Sequence, residues 1–107
     1  MAFFKNIRDH LKANGFTTRL ELAVQNLNLN DIGMCEYQLR KAQQAMIALR
    51  KAEAEYIFSE HGLQYVWNLA VKLREQLDAQ GCDQLARDAE HIAGYVFQVL
   101  TKRFGGK

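Results

Sequence analysis

Four side chains stand in line on the last third of the chain. Arg87, His91, Tyr95 and Gln98 follow one another at spacings of four, four and three residues, which sets them on one face if that stretch is helical. An arginine grips a phosphate through parallel hydrogen bonds, and a histidine moves a proton near neutral pH. Arg87 and His91 would therefore suit metal-independent cleavage of a phosphodiester. The same line is also what the solvated face of a helix looks like, and that reading is preferred. Asp88 and His91 form half of the carboxylate–histidine pairing used in di-iron bundles, which need that unit twice plus two further glutamates. Glu53 and the Glu60-His61 pair are the other residues within reach of the idea, so no metal is expected. Cys35 and Cys82 lack a thiol or histidine at zinc spacing. Ser59 is the one serine, and it sits in no nucleophile elbow. No phosphate-cradling glycine loop is present, so no cofactor is expected either.

Arg87-Asp88-Ala89-Glu90-His91 resembles the motif of the all-helical HEPN ribonucleases, an arginine and a polar residue followed by three arbitrary residues and a histidine. It has one residue fewer between its ends, which turns His91 by about a third of a turn from the motif position. The resemblance covers these five residues and implies an RNA-processing enzyme, or an inactive relative, using Arg87 and His91.

Arg40-Lys41 and Arg50-Lys51 lie ten residues apart with Gln43 and Gln44 between them, a pattern that would let one helix touch a nucleic-acid backbone. Glu36, Glu53 and Glu55 flank the same stretch, no aromatic is interleaved for base stacking, and the net charge is only +2. Nucleic-acid binding is therefore a secondary reading. Phe3, Phe4, Ile7 and Leu11, with Lys5, Arg8 and Lys12, have the character of an interfacial membrane segment. An eleven-residue helix is short for that role and Asp9 opposes anionic lipid, so this helix is expected to cover the bundle or a partner subunit. No apolar run approaches the roughly 20 residues that span a bilayer. The chain starts without the pattern of a secretory leader, and two cysteines make no disulfide framework, so a cytoplasmic setting is expected.

The elements that would position these residues are helices. Of 107 residues 49% are apolar, and there is no proline, which argues against a sandwich or barrel with its many turns. One all-α domain is expected, a small antiparallel helical bundle. A short amphipathic helix over 3–13 would be stopped by Asn14-Gly15. Residues 17–29 read as a helix or as an extended segment, because helical spacing and strict alternation coexist there. The strongest signal runs from Asn30 as N-cap: Ile32, Cys35, Leu39, Ala42, Met46, Leu49, Glu53 and Tyr56 recur at threes and fours, predicting one long helix over 31–60. Glu53 either pairs with a charge across this seam or marks where the seam stops being buried. Helices over 63–80 and 83–104 follow, with 105–107 as a flexible tail.

A rod of thirty residues would be roughly 45 Å long, and the two helices after it are too short to cover it. A seam left in water is costly, so either the helix kinks near Glu53 or a second copy covers it. The second is preferred, with Leu39, Ala42, Met46, Leu49 and Tyr56 as the dimer interface. The functional expectation is thus a small non-enzymatic helical interaction or regulatory module, acting as a homodimer on an unidentified protein partner.

Overall fold

The computed structural model describes residues 2–105, and its described residues form helices and turns with no strand. Helix α1 spans Ala2–Asn28, α2 Ile32–Ala52, α3 Glu60–Ala79 and α4 Asp83–Phe104, with a 3-10 turn at Glu55–Ile57 between α2 and α3. Helix α1 packs along α2, and α3 along α4. These two antiparallel hairpins join through α1 against α3 and α2 against α4, giving the all-α bundle that the periodicity implies. Of the expected tail, Gly105 ends α4, and residues 106–107 lie outside the described residues.

Asn14-Gly15 does not stop the first helix. Ala13, Phe16, Leu20, Ala23, Val24 and Leu27 are all buried, and their spacing runs in phase straight through the pair. A glycine inside a helix costs about 1 kcal/mol relative to alanine, less than the neighbouring apolar burial returns. Residues 17–29 are therefore mostly the second half of α1 and not an extended segment. The helix ends where Asn30 turns left-handed, with φ of 59°. The Asp31 N–H then reaches back to the Asn26 carbonyl at 2.9 Å and the Asn30 N–H to that of Leu27 at 3.0 Å, the paired closure of a Schellman motif. Asp31, one residue beyond the expected cap, is the N-cap of α2 and accepts from the Met34 N–H at 3.0 Å.

The expected long helix over 31–60 is two elements. Glu53 adopts φ of 51°, its N–H bonds to Arg50, and the Ala54 N–H bonds to the Leu49 carbonyl at 3.0 Å. This is the same closure as at Asn30, and it recurs at Gly81, whose φ is 78°. Glu53 is thus the residue that ends α2. Ala54 is buried beyond it. Ser59 caps α3 by accepting from the Gly62 N–H at 3.0 Å, so Gly62 lies in the first turn of α3.

This break removes the length mismatch behind the dimer. Helix α2 has 21 residues, about 32 Å, and α1, with 27, runs along it while α4 packs on its other side. Leu39, Ala42 and Leu49 are completely buried and Met46 nearly so, at 4% exposure, within one chain. They pack in a core with Phe16, Leu20, Leu63, Leu73, Leu77 and Ile92. Those four expected interface residues have no surface to offer a second copy. Tyr56, the fifth, is half exposed and faces α1.

Candidate functional site

Arg87 and His91 lie one turn apart on the exposed face of α4 but open onto different hollows. Arg87 borders a cleft of about 550 Å³ between α3 and α4, shared with Arg74, Asp78, Asp83 and Glu90. His91 borders one of about 440 Å³ between α2 and α4, with Arg50, Gly94, Tyr95 and Gln98. These two hollows open on opposite flanks of α4, and neither is lined by both side chains. Tyr95 is engaged elsewhere: its hydroxyl donates to Glu55 Oε2 at 2.9 Å, and burial together with that bond raises its pKa. Among the described residues no three His, Cys, Asp or Glu side chains cluster as a metal site requires. Cys35 and Cys82 carry free thiols, and burial pushes that of Cys35 up to about 11, leaving it protonated and inert.

The basic residues of α2 are dispersed. Arg40 is held by Asp88 at 2.6 Å and Glu36 at 3.3 Å. Lys41 lies 5.6 Å over the Tyr37 ring and Arg50 5.8 Å over that of Tyr95. Lys51 is exposed beside Ile47 and Arg50. Three of the four cations that would have tracked a phosphate backbone already have partners within the bundle.

The unusual arrangement is at the start of α1. Asp9, a carboxylate, is 2% exposed, covered by the half-exposed side chains of Lys5 and Tyr56. It accepts from Lys5 Nζ at 2.8 Å and from the Tyr56 hydroxyl at 2.5 Å, while the Lys5 ammonium also lies 5.4 Å over the Tyr56 ring. The hydrogen bonds from Lys5 and Tyr56 hold the Asp9 carboxyl below its ordinary pKa, and the bond to Asp9 raises that of Lys5. The same bond, with burial, raises that of Tyr56.

The opposite face of these turns is apolar and wet. Phe4, Ile7 and Leu11 are 57%, 43% and 65% exposed, spaced by three and four on one stripe. The following turns reverse this, with Ala13, Phe16 and Leu20 facing inward. Arg8 is exposed and Lys12 half-buried beside the stripe. Elsewhere Ile47 on α2 stands exposed beside Arg50 and Lys51, while Phe97 on α4 borders an apolar hollow with Trp67, Val71 and Ala93 between α3 and α4.

This end of the molecule is also where positive charge collects. The start of α1, the α2–α3 connection and the end of α4 meet there, joined by the Asp9–Tyr56 bond and by Arg103. The Arg103 guanidinium donates to the carbonyls of Glu55 at 2.6 Å, Phe58 at 2.8 Å and Tyr56 at 3.3 Å. Segments 2–12, 50–60 and 100–105 hold seven Lys and Arg against four Asp and Glu, whereas the rest of the described chain holds six against eight.

Sequence reasoning places the stripe but misses its support, because no spacing rule connects Asp9 to a tyrosine 47 residues away. Comparison with protein-family models, curated proteins and solved structures finds no match for this chain.

Proposed function

We propose that this protein is a small, non-enzymatic helical interaction module that docks through the outer face of α1. One observation carries the reading: the first turns of α1 cover their carboxylate, Asp9, with Lys5 and Tyr56 and leave Ile7 and Leu11 in water beside Phe4. An apolar patch of about 300 Å² on a small monomer is often a functional surface. The network around Asp9 ties these turns to the α2–α3 connection. A second copy need not supply the cover, since the seam that would have required one is already dry. The free thiols fit a reducing compartment such as the cytoplasm.

A photo-reactive residue in place of Leu11, with another in place of Arg87 as the comparison, tests this in intact cells. Adducts at position 11 that vanish when Ile7→Asp is added support the reading. Adducts at position 87 with none at position 11 overturn it. RNA cleavage by the purified protein, lost in His91→Ala, would replace it with the enzymatic alternative.

A further inference from the structure

We infer that the outer face of α1 docks on an anionic lipid bilayer, lying in the interface without crossing it; the inference rests on the reading of this face as the docking surface. Among the described residues no helix is long and apolar enough to cross a membrane.

Three features select lipid over a second protein. The stripe is small: Phe4, Ile7 and Leu11 at their observed exposure offer on the order of 300 Å², less than the roughly 450 Å² of apolar area in a standard interface of about 800 Å² per partner. A fluid acyl layer accepts isolated side chains without a complementary shape, so a narrow stripe suffices there. Charge then fits the anion. Arg8 and Lys12 border the stripe, and Asp9, the one acidic residue in segment 2–12, is covered and neutralised by Lys5 at 2.8 Å. Covering Asp9 removes the carboxylate that would have repelled lipid phosphates. The continuity of α1 through Gly15 fastens these turns to the bundle, so the helix does not have to fold on the membrane to bind it. The cytoplasmic leaflet, with its negative surface potential, is the bilayer of matching charge.

Co-sedimentation of the full chain with vesicles tests the inference. One set is phosphatidylcholine alone, and the other is equal parts phosphatidylcholine and phosphatidylglycerol. Binding is expected to the mixed vesicles, weakening as salt screens the charges. Ile7→Asp with Leu11→Asp should lower it by about tenfold or more, and Arg8→Gln with Lys12→Gln by about fivefold per charge removed. Ile7, Arg8 and Leu11 are exposed and Lys12 is half-buried, and circular dichroism checks that each variant keeps its helices. No binding to the mixed vesicles at low salt overturns the inference, as does equal binding to both sets or binding unchanged in Ile7→Asp/Leu11→Asp. Protein adducts at position 11 without vesicle binding would leave the docking surface standing and remove the lipid. The absence of both removes both.

Discussion

The Tyr56 hydroxyl donates to Asp9 Oδ2 at 2.5 Å across 47 residues of chain. This bond clamps the connection after α2 onto the first turns of α1. Lys5 completes the network from the same helix as Asp9, and the buried face that continues through Ala13, Phe16 and Leu20 leaves Ile7 and Leu11 outward. A carboxylate buried with two donors is stable in that position, and withdrawing a donor leaves it unsatisfied.

Stability should depend on pH at both limits because of this network. The Asp9 carboxyl is lowered in the folded protein, so the folded state binds fewer protons than the unfolded one around the ordinary carboxylate range. Its contribution is present above that range and is lost as pH falls through the folded value. The Lys5 and Tyr56 values are raised, so their contributions are present at neutral pH and are lost as pH climbs above about 10. Asp9→Asn should flatten both limbs of a melting-temperature profile measured against pH. A profile that keeps its shape in Asp9→Asn would show that the network contributes nothing.

Glu53 sits left-handed at φ of 51°, a conformation that costs a residue with a Cβ about 1 kcal/mol and glycine almost nothing. Glu53→Gly should therefore stabilise the protein by up to about 1 kcal/mol, and Glu53→Ala should not. Urea unfolding of the three proteins decides this, and a destabilised Glu53→Gly would mean that the side chain outweighs the backbone.

Arg103 bridges three carbonyls of the α2–α3 connection. Replacing it with alanine should destabilise the fold by about 1–2 kcal/mol, the range for losing charge-assisted hydrogen bonds at a solvated site. Hydrogen exchange should quicken at the amides of residues 54–58 ahead of those in the helix interiors. Uniform quickening through all four helices would contradict a local tether.

Leu39 tests the seam directly. It is fully buried within one chain, so Leu39→Ala should cost about 2–5 kcal/mol as a cavity in the core. The unfolding midpoint should stay the same over a wide range of protein concentration. A midpoint that rises with concentration would restore the second copy as the cover for this seam.

The bounds of α4, Asp83–Phe104, match the reading from the sequence, because a caps-and-period pattern bordered by Gly81 and Gly105 is local information. The seam from Ile32 to Leu49 was legible for the same reason, as was the apolar run Phe4, Ile7 and Leu11. Other features were not. Asn14-Gly15 has the form of a helix stop, yet the burial of Ala13 and Phe16 on either side carries the helix through it. A break at Glu53 is the alternative to a second copy, and the chain does turn there; Glu53 and Tyr56 continue the period of the seam, so the pattern alone does not choose between the two. Periodicity records which residues would share a face if a helix persists, and it cannot say whether it persists.

From the sequence alone come the all-helical class, the amphipathic stripes and the small positive balance, since these depend on residue type and near-neighbour spacing. Tertiary structure decided what those stripes touch. It buried Leu39, Ala42, Met46 and Leu49 inside one chain, split Arg87 from His91 between two hollows, and covered Asp9 with Lys5 and Tyr56 while Ile7 and Leu11 face out beside Phe4. The physical reason is that burial and buried hydrogen bonds are settled between segments far apart in the chain, where packing outweighs the roughly 1 kcal/mol preferences of single residues.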